Sequence, residues 1–385
     1  MAIPLEIKTQ LNLLRRDHPE IQYLSDEQLI QMIHDAMQAE TTQAGEPDEA
    51  DMERMSALEC GAIGEKLMNL GRWLEAERCF LASMEKAEKE GNLMLQGAAT
   101  EMLGKLCRER GAFSYSMELF QQALRLAERQ GDLWLQNTIY EQIGTTHSMQ
   151  GQYNQAIEHY KKSLQIIEHL GGNAASVYGN LGNVYQQLGD FRHAIDAHEK
   201  SLALESKHGN QKGMAQSYGM LGQIYEEQYR YNLALEMYHK SLGILDRLGD
   251  KIACAYQYSN LGNVYAAQSD FDEAIRMHEK ALTIVLHTGN DIGVAVEYGA
   301  LAYCYKGKGD IARALEFYGK DLAITEQIGD HHGAAKTHGN LGGLYRDAIG
   351  DPTQASAHLE KAKALFEMVG DAENAQKMVL ALRVI

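Results

Sequence analysis

Proline is nearly missing from this sequence: only Pro4, Pro19, Pro47 and Pro352 occur in 385 residues. Proline breaks a helix interior, so the whole stretch between Pro47 and Pro352 is free to be helical. Cysteine is sparse as well. The five cysteines (Cys60, Cys79, Cys107, Cys254, Cys304) are odd in number and lack CxxC spacing, which excludes a complete disulfide framework and argues against a zinc knuckle. They fall mostly at apolar helix positions and are expected to be buried free thiols of a reducing compartment. No apolar run reaches the roughly eighteen residues a membrane helix needs. The opening MAIPLEIKTQ carries no signal-peptide core, so the expected location is cytoplasmic. Positive charge is the deficient sign, 36 Lys and Arg against 53 Asp and Glu, a formal net charge of −17. That balance excludes nucleic acid and anionic membrane as the main partner.

Catalytic patterns are equally scarce. His198-Glu199 and His278-Glu279 have no second histidine at the zincin spacing. His331-His332 beside Asp330 reads as a capping turn rather than a metal site. No strand is predicted ahead of a glycine-rich phosphate loop. The sequence predicts no catalytic residue, no metal site and no cofactor.

What the sequence does contain is one block, repeated. YGNLGNVYQQLGDFRHAIDAHEKSL begins at Tyr178, YGMLGQIYEEQYRYNLALEMYHKSL at Tyr218 and YSNLGNVYAAQSDFDEAIRMHEKAL at Tyr258. A small residue marks the register at Gly64, Gly104, Gly144, Gly182, Gly222, Gly262, Ala302 and Gly342, in steps of 40, 40, 38, 40, 40, 40 and 40 residues. Twelve residues later a second small residue follows (Ala76, Ser116, Ala156, Ala194, Ala234, Ala274, Ala314), with one insertion before Ala355. A fixed period in this range signals a solenoid. Eight helix-turn-helix units are therefore expected over 51–370, behind an N-terminal helical cap at 1–40 and an acidic linker at 41–50. A C-terminal capping helix is expected at 371–385.

Glycine inside a helix costs up to about 1 kcal/mol against alanine. Seven at one register therefore need a packing reason: they let the second helix of each pair approach. Leucine there would overpack, whereas alanine, already present at Ala302, is expected to cost much less. Each second helix closes in Gly-Asp or Gly-Asn, from Gly91-Asn92 to Gly370-Asp371, joining a left-handed stop to a side-chain cap for the next helix. His198 and His278 take a place filled by Phe80, Phe120, Tyr160, Tyr238 and Tyr318 elsewhere, so they are read as packing residues. The tyrosine ladders through Tyr178 and Tyr185 are read the same way.

The first fifty residues differ. Ile7, Leu11 and Leu14 make a short amphipathic stripe, and Ser25 to Gln28 reads as a capping box for a helix bearing Leu29, Met32, Ile33 and Met37. Residues 1–53 hold three basic and twelve acidic residues. This segment is a cap for the first repeat or an acidic occupant of the groove.

The small residue at the eighth place, the aromatic three later and the alanine at the twentieth resemble the tetratricopeptide repeat. The GNLGNVY wording resembles the long-repeat subgroup of Pins/LGN-type polarity scaffolds. The unit is 40 residues rather than the usual 34, Gly-Asp or Gly-Asn replaces the closing proline, and the Gα-binding motifs of those scaffolds are absent. The resemblance implies an all-α, right-handed superhelical solenoid that binds protein. It further implies that groove asparagines, here Asn180, Asn183, Asn260, Asn263 and Asn340, hold partner segments with acidic anchors.

Residues that packing does not require flank the packing face of the first helices. They are Gln142, Asn180, Asn183, Gln186, Gln216, Gln223, Asn260, Asn263, Lys306, Lys336, Asn340 and Arg346. Asparagine is an indifferent helix former, yet its amide can both donate to and accept from an extended peptide backbone. The expected function is a scaffold or adaptor holding a protein or peptide segment with acidic anchors. The alternatives are a peptide-sensing receptor and a self-assembling rod.

Overall fold

The computed structural model describes residues 49–385, which are helical almost throughout, with no strand among the described residues. The cap expected at 1–40 lies outside them, as does most of the linker. The first described helix, α1 (Glu49–Arg54), begins inside the stretch read as linker. Eight helix pairs follow. They are α2 (Ala57–Asn69) with α3 (Trp73–Lys89), α4 (Leu93–Glu109) with α5 (Phe113–Gln130), α6 (Leu133–Met149) with α7 (Tyr153–His169), and α8 (Ala175–Gln187) with α9 (Phe191–His208). Then come α10 (Gln211–Glu227) with α11 (Tyr231–Leu248), α12 (Lys251–Ala267) with α13 (Phe271–Thr288), α14 (Asp291–Gly307) with α15 (Ile311–Gln327), and α16 (His331–Leu344) with α17 (Pro352–Met368). Helix α18 (Ala372–Leu382) ends the series.

The chain forms two compact units, one ending at Ile139 and one from Tyr140 to Ile385. In the first, Leu67, Phe80, Leu103, Leu106 and Leu119 build the core with Cys79 and Cys107. In the second, each interface repeats one plan around Tyr160, Tyr238 and Tyr318.

The plan is set by contact between a bare backbone and a ring. A Cβ added at Gly64 or Gly104 would lie 2.7 Å from Phe80 or Phe120, and one at Gly144 2.8 Å from Tyr160. At Gly182, Gly222 and Gly262 it would lie 2.5 Å from His198, Tyr238 and His278. His198 and His278 are therefore packing rings. Even alanine at Gly222 carries a cost, though a smaller one than leucine. The Tyr238 ring would have to move, and its hydroxyl is fixed by donating to Glu226 Oε2 at 2.7 Å. Hydroxyls close the same interfaces: Ser83, Ser201 and Ser241 donate to the carbonyls of Ala57, Ala175 and Ala215 at 2.7, 2.9 and 2.7 Å.

The tyrosines of the first ladder are roofed by lysines from the paired second helix. Lys162, Lys200, Lys240, Lys280 and Lys320 lie 5.1–5.8 Å above Tyr140, Tyr178, Tyr218, Tyr258 and Tyr298, a modest cation–π attraction at each exposed position.

Helix starts follow the sequence reading. Asn92, Asp132, Asn210, Asp250, Asn290, Asp330 and Asp371 each accept from the amide three residues on. The 38-residue step has a local cause: α8 has 13 residues where α10 has 17, and Asn173 reaches only to the Ala175 amide. The insertion before Ala355 is absorbed as a π turn at Tyr345–Ile349.

The turns inside the helix pairs need one residue with positive φ. Glycine supplies it at 71, 111, 151, 189, 309 and 350, but Tyr229 (φ 59°) and Ser269 (φ 63°) stand in the two remaining turns. A left-handed side-chain residue costs roughly 1–2 kcal/mol, and Tyr229 recovers little by burial, being 78% exposed. Tyr229→Gly is expected to raise stability by about 0.5–1 kcal/mol in urea unfolding, after allowing for the entropy glycine adds to the unfolded chain. A fall in stability would show that the ring contact with Tyr231 holds the turn.

Candidate functional site

Two features of the second unit define its accessible face. First helices of successive repeats touch directly, α8 with α10, α10 with α12 and α12 with α14. Side chains also link them: Asn180 Nδ2 donates to Glu141 Oε1 at 2.9 Å, and Gln186 Nε2 to Glu227 Oε1 at 2.6 Å. The first helices thus form the inner layer, and their solvent side is a continuous surface.

The polar residues singled out from the sequence divide into two groups on this layer. Gln186 is buried and Asn180 half-buried, and the amides of both hold neighbouring first helices together. Their role is internal. Asn183 is half-buried, with its Oδ1 enclosed and unpartnered. Gln142 is half-buried on α6, its carbonyl accepting from Thr146 Oγ1. Arg346 is half-buried and grips Asp347 through Nε and a terminal nitrogen at 2.7 and 3.0 Å, which holds the Asp347 carboxyl below its usual range. Gln216, Asn263, Lys336 and Asn340 are exposed, and Gln223, Asn260 and Lys306 are half-buried.

The sequence reading missed the apolar members of the face. Ile252 and Tyr256 on α12, and Ile292, Val296 and Tyr303 on α14, are each more than half exposed. The signal was available. Counted from Gly262 and Ala302, these residues fall ten and six before and one after the marker, roughly a quarter turn of the helix away from the glycine contact. They widen the apolar stripe beyond what the paired helix covers.

Buried polar groups behind this face join neighbouring helices. His278 Nδ1 and Glu297 Oε2 lie 2.8 Å apart, both buried. The Thr337 hydroxyl donates to Asp321 Oδ2 at 2.6 Å, and burial pushes that carboxyl up to about 6. His338 and His358 share a hydrogen bond between their Nδ1 atoms at 2.8 Å, with Tyr345 stacked on His358. One ring of this pair must donate and the other accept, and burial lowers the pKa of both, which favours their neutral forms. None of these makes a metal centre: no group of three or more His, Cys, Asp or Glu could hold an ion among the described residues. All five cysteines are buried and free. Burial raises the Cys79 and Cys304 thiols to about 11, which removes their nucleophilicity near neutral pH. No helix among the described residues is long and apolar enough to cross a membrane.

The sequence model of the tetratricopeptide repeat family matches residues 135–207, 213–287 and 294–368, more than half of the chain. The chain belongs to the tetratricopeptide repeat family, and its fold is an all-α solenoid of tandem repeats. No curated protein matches the sequence. Among solved structures, it is similar to a Signal Transduction ATPase with Numerous Domains with a tetratricopeptide repeat sensor from Pyrococcus horikoshii. The TM-score is 0.65 and the identity 18%, over 85% of this chain and 50% of that one. The chain therefore spans about half the length of that protein. It is also similar to a Rap protein complexed with Competence and Sporulation Factor (TM-score 0.55, 16% identity, 85% of this chain and 96% of that one). A third is the apo form of the quorum sensor NprR from B. thuringiensis (TM-score 0.53, 13% identity, 83% and 98%). At these identities the likeness is one of fold.

The packing histidines make stability depend on pH. Burial pulls His198 and His338 down to about 4, so the folded state keeps them neutral while the unfolded chain takes up protons below about 6.5. Their contribution is fully present above pH 6.5 and is lost as pH falls toward 4, up to about 3 kcal/mol per site. Asp321 runs the other way, its contribution fading as pH rises from 3.8 to about 6. His198→Phe, which copies the Gly64–Phe80 and Gly104–Phe120 contacts, should therefore flatten the loss between pH 6.5 and 4 in denaturant titrations. An unchanged acid profile would place the sensitive group elsewhere.

Proposed function

We propose that this protein is a non-enzymatic interaction module that holds an extended segment of a partner along the first helices of its second unit. One observation carries the reading. The inner layer from α10 to α16 exposes amides at Gln216, Asn263 and Asn340 and apolar side chains between them. An extended chain presents unpaired N–H and C=O groups, which such amides can satisfy from both sides. Exposed basic residues without an ion pair among the described residues stand at Lys212 on α10, Lys251 on α12 and Lys336 on α16. The anchor they suit is acidic, while Arg346 is already engaged by Asp347.

As a scaffold or adaptor, the chain would hold its partner constitutively. A second reading, a peptide-sensing signalling receptor switched by its ligand, is supported by the match over 96% of a Rap protein solved with Competence and Sporulation Factor. The two readings differ in what the ligand does to the protein. They separate by whether X-ray scattering of the protein changes on binding.

The probe is a peptide selected on the full chain from a displayed library of random dodecapeptides. Each lost hydrogen bond is worth about 0.5–1.5 kcal/mol, so Asn263→Ala with Asn340→Ala should weaken calorimetric binding about ten-fold. Glu279→Ala, on the solvent side of α13, should leave it unchanged. Loss of binding in the α13 variant alone would move the site off the first helices.

A further inference from the structure

The turns inside the helix pairs hold a feature that packing does not require. Six of them place glycine at the left-handed position and one places the small Ser269, but the fifth places Tyr229 there. Burial does not offset the strain, because the Tyr229 ring is exposed. Its one ring contact among the described residues is Tyr231, edge-on at 6.2 Å. A large side chain held in a left-handed position and left in water points to a use outside packing, since strain of this kind gathers at ligand sites.

Tyr229 borders an open notch of about 260 Å³ that spans two repeats. Arg230, Tyr231, Asn232 and Leu233 line one side from the start of α11, and Gln268 lines the other from the end of α12. The volume falls short of the roughly 300–1,000 Å³ of sites that enclose a small molecule, so the notch suits a few residues of a longer chain. Its hydrogen-bonding groups are mostly donors, and no carboxylate lines it. Gln268 Nε2 reaches Asn232 Oδ1 only at 3.5 Å, and the Asn232 amide N–H groups have no partner among the described residues. Arg230 stacks on Tyr225 at 4.8 Å and uses one terminal nitrogen on Gln228 Oε1 at 3.4 Å, with no carboxylate partner among the described residues.

Such a lining calls for a ligand with apolar rings and carbonyl acceptors that brings few N–H groups of its own. A proline-rich chain has that chemistry. Each proline removes a backbone N–H, and the polyproline-II conformation has no internal hydrogen bonds, so its carbonyls stay open to outside donors. A chain of ordinary residues would bring N–H groups that a notch short of acceptors leaves unpaired. A small anion would use Arg230 and leave both tyrosine rings without a role. We propose that the notch at the turns of the fifth and sixth helix pairs is a second docking site, separate from the first-helix face, for a proline-rich polyproline-II segment of a partner. The rings of Tyr229 and Tyr231 stand at 86° to one another, a corner that takes a pyrrolidine ring. Arg230, Asn232 and Gln268 donate to the carbonyls on either side, the division of labour of aromatic grooves that bind such segments.

Fluorescein-labelled decaproline, a polyproline-II probe, tests this on the full-length chain by fluorescence anisotropy. It should bind, whereas a labelled Gly-Ser peptide of the same length should not. Tyr229→Gly should lose about ten-fold in affinity or more, two aromatic contacts being broken, while its melting temperature holds or rises. Weaker binding by a protein that is no less stable cannot come from unfolding. Gln268→Ala, away from the strained turn, should lose about two- to ten-fold, as expected for one hydrogen bond. Asn263→Ala with Asn340→Ala should leave decaproline binding unchanged. If decaproline does not bind, or binds either the Tyr229→Gly or the Gln268→Ala protein as tightly as the parent, the proposal is overturned. If binding is lost from the Asn263→Ala/Asn340→Ala protein alone, proline segments belong to the first-helix face and the notch is wrong.

Discussion

The structure depends on one close approach, made again in every helix pair. A first helix presents bare backbone, or in one pair the small side chain of Ala302, and a ring or branched chain from the second helix fills the space. Because a Cβ at most of these glycines would stand only 2.5–2.8 Å from the facing atoms, the two helices are held at a fixed distance. Everything else takes its place from that distance. The serine hydroxyls reach the opposite carbonyls, the lysines reach across to roof the tyrosines, and the next first helix lands where Glu297 can meet His278 and Thr337 can meet Asp321. Each repeat mainly contacts its neighbours, as expected of a quasi-one-dimensional stack.

The same regularity explains what the sequence could and could not say. Helix pairs, caps and packing histidines were legible because each is a residue type recurring at one offset, and a period multiplies a weak signal. Departures from the period were visible but not interpretable. The short step before Gly182 became a shortened α8, and the insertion before Ala355 became a π turn. At Tyr229 and Ser269 the chain accepts a left-handed side-chain residue. The candidate site was half legible. Reading polar residues as binding candidates named Asn263, Lys336 and Asn340, which are exposed, but it also took in Asn180 and Gln186, whose amides are used within the stack. Pairing depends on side chains about forty residues away, Glu141 and Glu227, which a one-dimensional reading does not connect. The apolar members of the face were missed because Tyr256 and Val296 look like core residues until their offset from the glycine is counted.

This division between packing side and presenting side accounts for the functional reading. The packing side is nearly invariant from repeat to repeat, as a stack of equal units requires. The presenting side is free to vary, and exposed apolar side chains on α12 and α14 stand among exposed polar and basic ones such as Lys212, Asn263 and Lys336. The histidines and buried carboxylates, by contrast, belong to the packing side and tune stability with pH.

The most direct test of the close-approach account is the thermal unfolding of Gly222→Leu beside Gly222→Ala and the parent. A leucine must displace the Tyr238 ring and its hydrogen bond to Glu226, so the account predicts a loss of about 1–3 kcal/mol or more. Alanine should give a smaller loss, because the Ala302–Tyr318 pair shows that a ring can accommodate one methyl group. A leucine variant that melts with the parent would contradict the account, since the glycine register would then not set the distance between paired helices.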